Sequence, residues 1–238
     1  SAMKFYPNLK ILVPNIFTAL SLTSGLVALH FTYESYFITA SWLIAFSMVC
    51  DGLDGKLARL LNASTKFGFL FDTLSDFVAF GVVPGFLAYK VSLYNFRILG
   101  AVVAIFYVFS GGYRLVRFTL KNTEKTGKHS FTGLPIPAAA GIIASFILIN
   151  YYFWNEIKLT ELFLIITAFS SFLMTSKIEY LPLEKGKKLS REAKFFIILA
   201  IISGILAIRF SYIIFGAWIL IYILYGIIRH IIIRSRNK

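Results

Sequence analysis

Charge and cysteine are both scarce in this sequence of 238 residues. Asp, Glu, Lys and Arg fill only 15% of positions, whereas 58% are apolar, and the mean hydropathy is +0.77. So little charge over so much apolar sequence excludes an ordinary soluble domain and fits a polytopic membrane protein. The single cysteine, Cys50, rules out an intrachain disulfide and reads as a small buried apolar residue. Acidic residues are scarcer than basic ones, 11 against 24, which leaves a net charge of +13. That excess alone would suit a nucleic-acid partner. However, the basic residues sit in short loops between hydrophobic spans rather than in a basic domain, where they orient the protein and meet anionic membrane lipids. No nucleic-acid partner is expected. The first apolar segment has no small-residue cleavage site of a secretory signal, and Ser1-Ala2-Met3 reads as the remnant of a cleaved tag.

What is present is a series of apolar runs. Eight candidate spans cover about 11–30, 36–57, 68–89, 98–119, 135–153, 159–176, 195–209 and 211–230. The seventh is short, so a re-entrant hairpin is the alternative there. With eight crossings and a cytoplasmic N-terminus, 20 of the 24 basic residues fall inside, leaving Lys90, Arg97, Lys158 and Arg209 outside. This positive-inside bias predicts an integral cell-membrane protein with both termini cytoplasmic. Residues 4–176 would form a six-span catalytic core, 177–194 a basic cytoplasmic loop lying on anionic head groups, and 195–238 two further spans with a basic tail. Those last two spans read as lipid-facing or partner-facing additions.

Against this apolar background, Asp51, Asp54, Asp72 and Asp76 stand out. One carboxylate at membrane depth costs roughly 2.5–3.5 kcal/mol on insertion scales, and four cost on the order of 10 kcal/mol without compensation. On helices, Asp72 and Asp76 lie one turn apart, about 6 Å along the axis, and Asp51 and Asp54 share a face in the same way. Two such pairs on neighbouring helices would form an all-oxygen cluster suited to hard divalent cations, Mg²⁺ or Mn²⁺ with Ca²⁺ as a further candidate. Paired metals are a known device for phosphoryl chemistry. The plainer alternative makes these residues solvated partners of Lys56, Arg59 and Lys66.

The pattern D-x-x-D-G-x-x-A-R-x8-G-x3-D-x3-D is matched at Asp51, Asp54, Gly55, Ala58, Arg59, Gly68, Asp72 and Asp76. It resembles the signature of the CDP-alcohol phosphotransferases, and eight fixed positions within 26 residues make a specific motif. Over residues 7–176 three further stretches resemble the phosphatidylserine synthase branch of that family. They are the Pro14-Asn15-Ile16-Phe17-Thr18 opening, the Gly81-Val82-Val83-Pro84 run after Asp76, and Arg114-Leu115-Val116-Arg117-Phe118 followed by Phe131-Thr132-Gly133-Leu134-Pro135-Ile136-Pro137. The resemblance implies an all-α transmembrane bundle that acts as a homodimer. It implies transfer of a phosphatidyl group from CDP-diacylglycerol, or its archaeal diether equivalent CDP-archaeol, to L-serine with release of CMP. Two divalent cations would be held mainly by Asp51, Asp54 and Asp72, while Asp76 serves as general base and also touches a metal.

The remaining site residues follow from position and resemblance together. Gly52 and Gly55 leave backbone open to close approach, and the resemblance puts the cytidine there, with Ala58 and Gly68 in the same motif. Arg59 offers a planar fork to a diphosphate or to a carboxylate partner. Asn15, Thr18 and Ser21 form a polar stripe that either contacts the nucleotide or glues helices together. Arg114 and Arg117, one turn apart, either reach lipid phosphates or bind the anionic group of the acceptor, and the resemblance adds Phe131, Gly133 and Pro135 to that serine site. His129 reads as a surface residue. The Gly81–Pro84 run predicts a kink in the third helix. Rival functions are a transferase using glycerol 3-phosphate or inositol phosphate, and a divalent-cation transporter.

Overall fold

A computed structural model of the chain describes residues 7–123, 131–180, 213, 216–225 and 227–228. Apart from a two-residue antiparallel ladder that pairs Phe131 with Tyr180 and Thr132 with Glu179, the described secondary structure is helical. Helix α1 runs Pro7–Tyr33 and α2 runs Phe37–Leu60. Helix α3, Lys66–Asp76, passes through a π-helical turn, Phe77–Val82, into α4, Val83–Val91. A 3₁₀ turn, Leu93–Phe96, leads into α5, Arg97–Thr123, followed by α6, Ile136–Trp154, and α7, Thr160–Thr175. A short apolar helix, α8, covers Gly216–Tyr225.

Among the described residues, five stretches are long and apolar enough to cross a membrane: Lys10–Tyr33, Phe37–Leu60, Lys66–Val91, Leu93–Leu120 and Ile136–Trp154. They correspond to the first five expected spans. The expected sixth is the shorter α7. The expected seventh, 195–209, lies outside the described residues, and α8 is the described part of the eighth.

Helices α1 and α2 form an antiparallel hairpin closed by a tight turn with Ser35 in the left-handed region, φ 64°. Its seam is made of hydroxyls: Thr18 donates to Asp54 (2.7 Å), Ser21 and Ser47 share a bond (2.8 Å), and Ser24 donates to the Leu43 carbonyl (2.8 Å). Small hydroxylated residues suit a membrane bundle, where close backbone approach and interhelical hydrogen bonds replace the hydrophobic drive between helices. Ser21 therefore belongs to the seam. Gly25 shows how tight the packing is, because a Cβ there would stand 2.9 Å from Cα and Cβ of Ala79 in the π turn. The apolar side chains divide in the complementary way: Phe80, Leu87, Tyr107, Ile143 and Phe163 are fully buried, whereas Ile98, Phe109 and Phe67 face outward.

Two backbone expectations hold in part. The first span was expected to open at Pro7-Asn8 and then Pro14; α1 does begin at Pro7, so Pro14 lies inside the helix and withholds the N–H that would serve the Lys10 carbonyl. The third helix does break, yet the irregular turn starts at Phe77, directly after Asp76 and ahead of the Gly81–Pro84 run. Pro84 sits in the first turn of α4 and has no N–H to offer the carbonyl four residues back, that of Phe80. The buried Tyr107 hydroxyl of α5 donates to that carbonyl at 3.0 Å. Tyr107→Phe should therefore cost about 1–3 kcal/mol, the usual penalty for a buried acceptor deprived of its donor. Thermal unfolding in detergent checks this. Pro84→Ala restores an N–H, so the double variant should lose less stability than the two single losses added together.

Candidate active site

All four aspartates of the chain lie in α2 and α3, and three of them converge. Asp51, Asp72 and Asp76 each offer a carboxylate oxygen, and these oxygens lie within 4.8 Å of one another. Asp72 and Asp76 meet there because one helical turn separates them, and Asp51 faces them from α2, both helices packing against α1. Asp51 and Asp76 come within hydrogen-bonding range of each other. Asp72 Oδ1 and Asp76 Oδ1 are buried and accept no hydrogen bond among the described residues.

Three carboxylates packed so closely, with buried oxygens that no donor serves, repel one another unless a proton or a cation joins them. A set of oxygen donors alone suits a hard divalent ion rather than a thiophilic one. The residues present therefore fit a divalent metal centre.

Asp54 belongs to the edge of this cluster rather than its middle. It is buried, and its Oδ2 accepts the Thr18 hydroxyl at 2.7 Å. Positions three apart on a helix differ by about 60° in direction, enough to turn Asp51 toward Asp76 and Asp54 toward α1. Asp54 and Asp72 then line a common open cleft together with Asn15, Thr18, Gly55, Ala58 and Gly68. Five of the residues singled out in the sequence for a nucleotide or diphosphate share this wall. The cleft also includes Pro14, Ala63, Ser64, Thr65 and Phe69, which the sequence reading missed. Their signal lay in the helix-capping chemistry of the 61–65 link: Thr65 caps α3 by accepting the Gly68 N–H at 3.0 Å, and Asn62 takes φ 50°. A side chain at Gly68 would crowd Asn15 Oδ1 and Thr65 Oγ1, each 3.1 Å from its Cβ. Gly52 and Arg59 are exposed outside that wall, and a Cβ at Gly52 would meet nothing within 4 Å.

The two arginines expected as a pair divide. Arg114 is buried, its Nε has no hydrogen-bond partner among the described residues, and its charge acts on Asp76 and Asp51. Arg117 instead donates through Nη1 to the Thr175 carbonyl (3.2 Å) and through Nη2 to the Ser176 carbonyl (3.1 Å), the open C-terminal end of α7. Helix ends leave such carbonyls unsatisfied and carry partial negative charge, so an arginine there is well placed as a cap. Spacing of three brings both guanidiniums to one side of α5 but does not say which partner each will find.

The 131–135 loop is fastened to the same helix end. Gly133 donates its N–H to the Ile178 carbonyl (2.8 Å) and Leu134 to that of Leu173 (3.0 Å). Gly133 has φ 85°, and a Cβ there would collide with the Met174 carbonyl and Arg117 Nη2, so only glycine fits. Pro135 is the N-cap of α6. His129 and the Phe131 side chain lie outside the described residues.

Residues 11–175 match the CDP-alcohol phosphatidyltransferase family over the elements that build this site. The chain belongs to that family. It is 37% identical over 233 residues to the CDP-diacylglycerol–serine O-phosphatidyltransferase of Helicobacter pylori, covering 95% of this chain and 96% of that one. A Methanocaldococcus jannaschii protein with the same name is 33% identical over 227 residues, 93% of this chain and 95% of its own. An archaetidylserine synthase of Methanothermobacter thermautotrophicus is 35% identical over 172 residues, 71% of this chain and 70% of its own. The family's matched region stops at the end of α7, whereas the first two likenesses run across nearly the whole chain, including the part that contains α8.

Proposed function

We propose that this protein is a phosphatidylserine synthase, transferring the phosphatidyl group of CDP-diacylglycerol, or of CDP-archaeol, to the hydroxyl of L-serine with release of CMP. The observation that carries it is the junction of the Asp51–Asp72–Asp76 cluster with the cleft lined by Asp54 and Asp72, in a family member alike over 95% of its length to serine transferases. Asp51, Asp54, Asp72 and Asp76 would hold two divalent cations, Mg²⁺ or Mn²⁺, and Ca²⁺ has the same ligand preference. When bound, such ions neutralise a diphosphate and the negative charge that grows on departing CMP.

The chain's own residues supply the rest. Asn15, Thr18, Gly55, Ala58 and Gly68 wall the CDP cleft, with Gly52 and Arg59 at its rim. Asp76 takes the proton of the serine hydroxyl as its oxygen bonds to the phosphorus that keeps the lipid. The phosphorus–oxygen bond to CMP breaks in the same displacement, and CMP leaves with that electron pair. Arg114 holds the serine carboxylate. Arg117, Phe131, Gly133 and Pro135 act at this subsite by shaping its loop against α7, since Arg117 is committed to carbonyls there.

The proposed setting is the cell membrane, with eight spans, a homodimer, both termini cytoplasmic and the cleft open to the cytoplasm. The 61–65 link that lines the cleft lies between Arg59 and Lys66, which the positive-inside bias puts on that side.

Initial rates of CMP release by the purified protein in detergent test the acceptor. With CDP-diacylglycerol and Mn²⁺ or Mg²⁺, release should require L-serine. Release driven by glycerol 3-phosphate or inositol phosphate would overturn the acceptor, and metal flux into liposomes without CMP release would overturn the enzyme.

A further inference from the structure

The sequence leaves two roles open to Thr18, contact with a nucleotide and glue between helices. Its bonds point to a third. The side chain is buried, and its hydroxyl stands 2.7 Å from Asp54 Oδ2 and 3.2 Å from the Pro14 carbonyl one turn back. A hydroxyl carries a single proton. The nearer, ionised acceptor takes it, because hydrogen bonds to charged oxygens are shorter and stronger than those to neutral ones. Only lone pairs are left over, and these repel a diphosphate. Thr18 can therefore donate to a nucleotide only by abandoning Asp54. The backbone of the same residue is engaged as well, since Ser75 donates its hydroxyl to the Thr18 carbonyl at 3.2 Å. A helical serine or threonine ordinarily returns its proton to its own helix, as Thr73 does to the Phe69 carbonyl at 2.8 Å. Ser75 instead reaches across to α1. It is the one buried residue among the eleven of α3, and helical geometry sets it about 60° from Asp72 and 100° from Asp76. One residue of α1 thus meets both acid-bearing helices, α2 at Asp54 and α3 beside Asp76.

We infer that Thr18 is a positioning residue for the metal centre: its hydroxyl sets the direction of the Asp54 carboxylate from a backbone that also holds α3. The inference rests on the divalent-metal reading of the four aspartates, and not on serine as the acceptor. A carboxylate that turns freely must be ordered each time it takes up an ion. A donor already in place on one of its oxygens removes that cost. Threonine suits the task because its β-branched side chain has few rotamers, and the approach to the Pro14 carbonyl marks one that helices favour. Asp54 lines the cleft beside Asp72, so its direction governs how it joins the other carboxylates on an ion. The sequence signal was weak, since a threonine in an apolar helix reads equally well as interhelical glue.

Titration of the purified full chain with Mn²⁺ in detergent and without nucleotide, followed by electron paramagnetic resonance, tests this. Thr18→Val keeps the shape and loses the hydroxyl, and should weaken Mn²⁺ binding by about tenfold, the usual effect of removing the partner that orients a metal ligand. Thr18→Ser returns the hydroxyl and should restore most of that loss. As a control, Ser47→Ala removes another hydroxyl from the α1–α2 seam, one that donates to the Ser21 carbonyl at 2.9 Å, and should leave Mn²⁺ binding unchanged. Wild-type Mn²⁺ affinity in Thr18→Val would overturn the positioning role. Weaker CDP binding beside it would make Thr18 a nucleotide contact, and a lower melting temperature alone would make it glue. An equal loss in Ser47→Ala, or no recovery in Thr18→Ser, would also count against it, as the sign of a loosened hairpin. A wild type that binds no Mn²⁺ would remove the metal reading itself, and this inference with it.

Discussion

Asp72→Asn and Asp76→Asn, made singly, are each expected to lower CMP release by a factor of about 10³ or more, with the protein still folded. The two oxygens that no donor serves among the described residues, Asp72 Oδ1 and Asp76 Oδ1, are the basis of this expectation. A carboxamide is nearly isosteric with a carboxylate, so packing survives, but it carries no charge and turns one oxygen into a donor. The cluster would lose both its pull on cations and, at position 76, its base. Mn²⁺ binding followed by electron paramagnetic resonance gives a readout apart from turnover, and should weaken in both variants. Retention of the wild-type elution profile together with full activity in either variant would show that these carboxylates serve only the fold. Relief of carboxylate repulsion should make both variants at least as resistant to heat as the wild type in metal-free buffer. Loss of function and gain of metal-free stability together are the mark of a site whose strain is relieved by its ligand.

Arg114→Ala should cost about 10²–10³ in kcat/KM for the acceptor, the order expected for removal of one buried, oriented charge. Arg114→Lys keeps the charge as a point on a flexible stem and cannot reproduce the planar fork, so it should recover only part of the loss. Arg117→Ala should behave differently. Its two bonds to the Thr175 and Ser176 carbonyls secure the end of α7, so the expected result is a lower melting temperature with a smaller kinetic effect. The comparison discriminates between a residue that touches substrate and one that shapes the surrounding loop. Equal kinetic losses in the two alanine variants would restore the view of a cooperating pair. Initial-rate kinetics with acceptor and lipid varied separately, beside thermal unfolding, make the distinction.

The carboxylate cluster was legible in the sequence because its penalty was. Four carboxylates at membrane depth are costly, and their spacing on two helices favoured convergence, which three of them reach while Asp54 turns to Thr18. Thr18 and Asn15 were legible for a weaker reason, their shared depth with the aspartates, and the stripe they began was split: Thr18 turned to Asp54 while Ser21 turned to Ser47. What spacing could not tell was partner choice. Arg114 and Arg117 have the same chemistry three residues apart, and only the position of α7 sends one to carbonyl groups and leaves the other beside Asp76. The seating of α8 on α6, with Ile219 against Gly141, was hidden for a related reason. Ile219 and Leu220 are equally apolar, and nothing local says which will meet a glycine on α6 and which will meet lipid. The irregular turn overlaps the Gly81–Pro84 run but begins at Phe77, and the Phe80 carbonyl that Pro84 cannot serve finds its donor in Tyr107 on another helix, a partner no local pattern shows.

That turn has a further consequence. A π-helical turn holds one residue more than the α-helical register would. The segments on either side are therefore set at independent rotations, about one residue or 100° out of step with a continuous α-helix. Asp72 and Asp76 take their direction from the lower segment, and Val83, Leu87 and Ala88 take theirs from the upper one. Deleting a single residue within 77–82 would leave the chemistry and the core each intact in sequence yet aimed past one another. Adding one alanine in α4 would turn the core half alone. The extra residue works as a keyed coupling between two shafts, and the phase angle it sets allows one helix to serve both a polar cleft and an apolar interior.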